Sequence, residues 1–225
     1  MNNRLTSIGA NKLLALSFKQ YSKPNNKKLI ILPSLLRPEV FQKDSKSGDF
    51  ILTFILNKGY AEEIIEWHKS NRGIRIHCFW ENKHAPETLK IHSNLIFHRL
   101  SDTKFLALMA PCKAYASTEG FESICEAMYF GKPIMTVPVK GHYEQQCNAL
   151  DASTAGADAT SNFFDLSKLI DLLPNSTCDQ YQFRQWATGS ARTFLFALSN
   201  ISNEKSLTQE RHPALHPLTL PQHAH

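Results

Sequence analysis

Between Asp49 and Leu173 short apolar runs alternate with segments of helical periodicity, and no other feature of the 225-residue chain constrains its fold as tightly. Phe50–Leu56 reads FILTFIL, a nearly continuous apolar run long enough for a strand buried on both faces. Asn57-Lys58-Gly59 is a turn. Tyr60–Lys69 then sets Ile64, Ile65 and Trp67 among Glu62, Glu63 and Glu66, the pattern of an amphipathic helix. The same criteria predict strands over Ile74–Phe79, Asn94–His98, Lys113–Ser117 and Ile134–Val137. They predict helices over Asp102–Pro111, Phe121–Phe130 (closed by Gly131), Glu144–Ala155, Asp165–Leu173 and Gln180–Leu198. Strands and helices in this rhythm form parallel βαβ units, so the expected fold is α/β with a doubly wound, Rossmann-like parallel sheet. Right-handed crossovers place the loop after each strand on one sheet edge, where ligands bind.

The organisation predicted around this core is a leading segment and linker over 1–48, a domain over 49–198, and a disordered tail over 199–225, where periodicity is lost. Within the leading segment Leu13–Leu16 is a short apolar patch and Leu29–Leu32 a brief extended run broken by Pro33 and Pro38. Charge is unevenly placed. Seven of the 25 Lys and Arg lie in residues 1–38, which hold no acid, so the other 187 residues carry 18 basic against 20 acidic side chains. The body is near neutral, and the pI of about 8.9 gives no nucleic-acid face. Scattered lysines are common in solvated linkers, the interpretation preferred for 1–38; the alternative is contact with a partner or with an anionic membrane surface. Cys78, Cys112, Cys125, Cys147 and Cys178 form no C-x-x-C pair, which reads as reduced thiols in a cytoplasmic protein and leaves no metal site. No apolar run approaches the roughly 20 residues of a membrane span.

Chemistry concentrates in Ser117–Ala149, STEGFESICEAMYFGKPIMTVPVKGHYEQQCNA. A helix entered at Gly120–Glu122 offers free backbone N–H groups and the positive end of its dipole to an anion. Gly120 has no Cβ, which lets a ligand approach the backbone, and Thr118 and Ser123 add hydroxyls. Glu126 follows Ser123 by three residues on the same helix face, and its carboxylate can accept two hydrogen bonds from vicinal ribose hydroxyls. Glu144 and Gln145, after the next strand, are an acid–amide pair suited to sugar hydroxyls. A bland reading stands beside this one. Ser123-Ile124-Cys125-Glu126 is also the S-x-x-E signature of a capping box, and Gly120 and Gly131 serve equally as turn glycines.

The stretch resembles the nucleotide-sugar-binding half of GT-B glycosyltransferases, the group of the UDP-glycosyltransferases and the N-acetylglucosaminyltransferases of peptidoglycan synthesis. The resemblance rests on Thr118, Gly120, Ser123, Glu126, Gly131-Lys132-Pro133, Pro138 and Glu144-Gln145-Gln146-Cys147-Asn148-Ala149, in that order. Leu35-Leu36-Arg37-Pro38 and the Asp49–Trp67 strand and helix add to it. It implies a hexosyltransferase donor domain. Thr118, Gly120 and Ser123 would cradle the diphosphate, Glu126 would hold the ribose, and Glu144 and Gln145 would bind the transferred sugar. Asn57–Gly59 would border the donor phosphates and Arg99–Asp102 would lie near the base. His142, in the Gly141 loop, is the weaker candidate for a catalytic role. Glu119 departs from the pattern, since a carboxylate beside Gly120 repels a diphosphate unless it points away.

The resemblance also implies that no cofactor or metal is obligatory, and no Asp-x-Asp occurs in the sequence. The acceptor site and the catalytic base of such enzymes lie in an N-terminal domain for which this sequence has no room, and the resemblance implies that residues 1–48 are a remnant of that domain and the interdomain linker. The chain is therefore expected to be inactive by itself and to work with an acceptor-binding domain or subunit, in the cytoplasm or peripherally at the inner face of the membrane. Two alternatives are a nucleotide-sugar 2-epimerase half, which E-Q-x-x-N-A disfavours, and a non-catalytic truncated product.

Overall fold

A computed structural model of the chain describes residues 8–21, 26–118, 120–176 and 180–210. Its elements are β1 (Leu13–Leu16), β2 (Leu29–Leu32), β3 (Phe50–Ile55), α1 (Lys58–Ser70), β4 (Arg75–Trp80), β5 (Thr88–His92), β6 (Leu95–Arg99), α2 (Asp102–Met109), β7 (Ala114–Ser117), α3 (Phe121–Tyr129), β8 (Ile134–Thr136), α4 (Tyr143–Thr154), β9 (Ala159–Thr160), α5 (Ser167–Leu172), α6 (Gln180–Ala187) and α7 (Ser190–Glu210). The main sheet has seven strands in the order β5-β6-β4-β3-β7-β8-β9. All its neighbouring pairs are parallel except β5–β6, an antiparallel hairpin at one edge. With the hairpin strand set aside, the parallel strands run 3-2-1-4-5-6 in chain order, which is the doubly wound Rossmann arrangement. Chain order reverses between β3 and β7, so the gap at their carboxyl ends is where such a sheet receives a ligand.

Alternation along the strands builds two cores, one on each face of the sheet. Leu52, Phe79 and Tyr115 point to one face, where they meet Leu106 and Met109 of α2, Ile124 and Met128 of α3, and Phe183 of α6. Ile51, Ile55, Ile76 and Cys78 point to the other, against Ala61 and Ile64 of α1 and Leu169 of α5. A parallel sheet covered on both faces explains why FILTFIL carries no polar stripe. The local signals are visible too. The Asn57 side chain caps α1 by accepting from Tyr60 N, and Ser101 caps α2 by accepting from Lys104 N. Gly131, at φ 65°, ends α3.

Four features depart from the sequence expectations. Leu13–Leu16 and Leu29–Leu32 pair in parallel as a separate two-stranded ribbon. Strands β5 and β9 were not predicted, because Thr88–His92 interleaves Lys90 and His92 with its apolar residues and Ala159–Thr160 is only two residues long. The single helix expected over Gln180–Leu198 is two helices, divided near Gly189 at φ 82°. The second of these continues to Glu210, past the predicted loss of order at 199; the rest of the predicted tail, 211–225, lies outside the described residues. Among the described residues no helix is long and apolar enough to cross a membrane.

The leading segment is fastened to the main domain. Asp151 on α4 accepts hydrogen bonds from Ser17 Oγ (2.8 Å), Phe18 N (3.1 Å) and Tyr21 Oη (2.6 Å). Trp186 Nε1 donates to Ser17 O, and buried Phe18 packs on Phe121 at 4.4 Å between ring centroids. Further along, Lys132 Nζ of the Gly-Lys-Pro turn donates to Lys46 O.

On the sheet, the rings of His77 and His98 stack at 5.1 Å, with His77 Nδ1 and His98 Nε2 sharing one hydrogen bond of 2.8 Å. Burial, then Lys104 and His77, push His98 down to about 4. Its unfolded value is about 6.5, so the folded state favours the neutral ring. This contribution is complete above pH 6.5 and is lost as pH falls from 6.5 toward 4. Urea midpoints of the wild type should therefore drop between pH 7 and pH 4.5 by more than those of His98→Gln; equal drops would assign the acid sensitivity to other groups.

Candidate functional site

The loop from β7 into α3 lies at the reversal point of the sheet. Gly120 is the N-cap residue of α3 at φ 108°, a conformation that side-chain-bearing residues seldom adopt. A Cβ placed there would lie 2.6 Å from Ser123 Oγ. Ser123 is thus the third residue of the helix and not its cap, which removes the capping-box alternative. Its hydroxyl donates to Gly120 O (3.0 Å) and accepts from Tyr115 Oη (2.9 Å), which fixes the loop to the strand. Tyr115 is fully buried, and burial raises its phenol well above the ordinary value.

The N-terminus of α3 opens into a cleft of about 380 Å³. Its apolar and aromatic lining is Phe54 from the end of β3, Phe79 from β4, Leu100 from the passage between β6 and α2, and Phe105 from α2. Its polar lining comes from Gly120 at the N-cap of α3 and from Glu122, Ser123 and Glu126 of that helix. Leu35, Leu36 and Arg37 of the leading segment also line it. Ser101 and Asp102, part of the Arg99–Asp102 segment expected near a base, also line it. An aromatic wall beside a helix N-terminus suits a flat, partly apolar group attached to an anion.

Glu126 does not stand open as a free carboxylate. Arg37 Nε donates to its Oε1 (2.7 Å) and Arg37 Nη2 to its Oε2 (2.8 Å). The Glu126 side chain is 4% exposed and that of Arg37 35%. The hydrogen bond to Glu126 raises the Arg37 guanidinium above its ordinary value. Arg37 is the cleft residue that motif reasoning did not assign. The two partners are 89 positions apart, and no local spacing connects them.

Thr118 and Gln145 line a second, smaller recess, of about 10 Å³, that shares Gly120 with the cleft. Thr118 is 2% exposed, and its Oγ1 has no hydrogen-bond partner among the described residues. Gln145 is buried, with its Oε1 accepting from Val139 N (2.7 Å). Glu144 is exposed in the first turn of α4 and lines neither space. His142, the exposed N-cap position of α4, makes no side-chain cap and lines neither. Asn57 and Gly59 also lie outside both, with Asn57 occupied in capping α1. Glu119 falls outside the described residues. The structure therefore gathers Gly120, Ser123 and Glu126 around the cleft and Thr118 and Gln145 around the recess, and leaves Glu144, His142, Asn57 and Gly59 apart.

A family profile described as glycosyl transferase family 1 matches residues 4–175. The chain belongs to that family. Solved structures agree on the fold, a GT-B half. The glycotransferase of kitacinnamycin superposes with a TM-score of 0.60 at 15% identity, covering 83% of this chain and 54% of that one. For the calicheamicin glycosyltransferase CalG4 the values are 0.54, 10%, 83% and 49%, and for the spinosyn rhamnosyltransferase SpnG 0.51, 12%, 82% and 54%. The family 1 chain thus spans about half the length of these structures. No curated protein matches its sequence.

The Gly120 geometry carries a stability prediction for this family 1 chain. Gly120→Ala forces a side chain into a left-handed conformation and against Ser123 Oγ. It should lower unfolding free energy by about 1–3 kcal/mol, read as a reduced urea midpoint. An unchanged midpoint would mean that the loop adopts another conformation at no cost.

Proposed function

We propose that this family 1 domain binds a nucleoside diphosphate sugar and stabilises the diphosphate as the leaving group of sugar transfer. The observation that carries the proposal is the N-terminus of α3, opened by Gly120 into an aromatic-walled cleft at the reversal point of the sheet. Phe54, Phe79 and Phe105 suit a base, and the N-terminal end of α3 suits a phosphate. The Thr118 hydroxyl, in a recess that shares Gly120 with the cleft, has no acceptor among the described residues, and the recess has room for about a single oxygen atom.

In the proposed reaction the acceptor hydroxyl oxygen bonds to the anomeric carbon. The bond from that carbon to the diphosphate oxygen breaks, and its electron pair leaves with the nucleotide. The acceptor's proton passes to a base. This chain's part is to hold the donor and to aim helix N–H groups at the charge that grows on the leaving oxygen. Such donors need no metal to act. The base and the acceptor site belong to a second domain or subunit in this proposal, since the chain spans about half the length of the solved relatives. Glu144 and Gln145 remain the proposed contacts to the transferred sugar, and Glu144 has to approach the donor on closure against that second half.

Calorimetry with UDP, GDP and dTDP tests the donor site: at least one should bind, and binding of none would overturn the proposal. Thr118→Val sharpens the test. Removing an unpaired buried hydroxyl should leave stability unchanged or slightly raised, while a lost contact to the ligand should weaken nucleotide binding by about tenfold. Unaltered affinity would show that Thr118 is no part of the donor site.

A further inference from the structure

The aromatic lining of the cleft rests on a histidine pair. His98 of β6 stands opposite Phe79 of β4 in the sheet, and the two rings meet at 5.0 Å between centroids. Phe79 meets Phe105 edge-on at 5.3 Å, and both line the cleft. His98 also stacks on His77 at 5.1 Å, with the ring planes 6° apart, and one hydrogen bond of 2.8 Å joins His98 Nε2 and His77 Nδ1. His98 is buried, and its Nδ1 has no hydrogen-bond partner among the described residues. His77 is half-buried and packs on Phe50.

Two neutral imidazoles carry two N–H hydrogens on four nitrogens. With His98 Nε2 donating to His77 Nδ1, the second hydrogen sits on His77 Nε2, and His98 Nδ1 is a bare lone pair. Orphaned buried N–H groups are the rarer kind in folded proteins, which selects this arrangement. A third hydrogen has no such place. If it goes to His98 Nδ1, a buried N–H is left without an acceptor beside a positive charge. If Nδ1 stays bare, both facing nitrogens carry hydrogens and the shared bond is lost. Either way, the first added proton works against the geometry that seats His98 on Phe79. The charges around the pair oppose that proton too. Burial comes first, Lys104 of α2 opposes a proton on either ring, Arg75 of β4 opposes one on His77, and Asp49 before β3 favours one there. Arg75 and Asp49 pair with each other at 2.9 Å, and Lys104 donates to the Thr88 hydroxyl, so the balance is positive. Thr88, which faces His98 from β5, is uncharged.

We propose that His98 is a positioning residue of the cleft: while the pair is neutral it holds Phe79 in the aromatic lining, and one proton taken up by the pair releases that lining. The coupling is reciprocal. A nucleotide whose base lies on Phe79 and Phe105 favours the neutral pair and lowers its proton affinity. This second step rests on the donor-site reading above, whereas the coupling of His98 to Phe79 does not.

The test is an NMR titration of the full chain into acid, with histidine and phenylalanine rings labelled and Phe79 assigned through Phe79→Leu. The His77 and His98 signals should share one midpoint near pH 4, and the Phe79 ring signals should move with it. In His98→Gln the Phe79 signals should stay flat through that range. Because that variant removes a buried ring, His98→Phe, which keeps a ring against Phe79, is the second variant and should behave alike. Whichever of UDP, GDP and dTDP binds, added at about twice its Kd, should lower the wild-type midpoint by about half a pH unit. Phe79 signals that do not titrate, that titrate equally in both His98 variants, or that vanish together with those of the whole core would each overturn the inference, the last by making the pair part of global acid unfolding. A midpoint unmoved by a nucleotide that binds would overturn the reciprocal coupling. If none of the three nucleotides binds, the donor-site proposal fails, and the titration without ligand still decides whether His98 holds Phe79.

Discussion

A parallel sheet must be covered on both faces, and here that requirement determines where the cleft lies. The chain sends α1 and α5 to one face and α2, α3 and α6 to the other. Between β3 and β7 the winding changes direction, so the connections leaving these two neighbours diverge at their carboxyl ends. β7 is buried over all four residues and pairs on both sides, with Phe54 opposite Ser117 on β3 and Ser117 opposite Thr136 on β8. A strand held this way cannot slip by one residue without turning Tyr115 out of one core and Ala116 out of the other. The start of α3 is accordingly aimed by the register of the sheet, and the positive φ of Gly120 only completes the turn.

Most of this was legible in the sequence because it depends on local pattern. FILTFIL, the Ile64-Ile65-Trp67 helix and the Gly131 stop produce strands and helices within one or two residues of their expected ends. The placement of Gly120 at a helix entrance after a strand was legible for the same reason. What escaped depends on distant partners. Leu13–Leu16 and Leu29–Leu32 are each four residues long, and nothing in either segment says that they pair with one another. The Asp151 clasp joins residues more than 130 positions apart. Gly189 divides the last helical stretch, although Gln180–Leu198 has enough helical pattern on both sides of it to read as one element.

Glu126 shows how a motif can locate a residue correctly and leave its chemical state undetermined. Spacing places it on the inner face of α3, and the structure has it there, in the cleft wall. Spacing carries no information about Arg37, which reaches it from a segment that composition marks as a basic linker. The cation changes what the carboxylate offers. A glutamate paired to arginine keeps its remaining lone pairs but has its charge balanced by the guanidinium. Leu36 and Val40 explain why a linker residue can take such a part. Their burial converts the linker into a wall of the cleft.

The leading segment is fastened to the rest of the domain away from the cleft as well. Ser17, Phe18 and Tyr21 are tied to α4, Phe18 lies against the first residue of α3, and Lys46 O is held by Lys132 behind the same helix. The segment leading into the domain thus touches α4 through Asp151, α3 through Phe121, and the turn after α3 through Lys132. Two parallel strands alone are marginal, and Leu14 and Leu16 stand 40% and 45% exposed on the β1–β2 ribbon. Asp151, Phe18 and Lys132, which fasten the leading segment, do not line the cleft, so the residues that hold this segment in place are separate from those that shape the cleft.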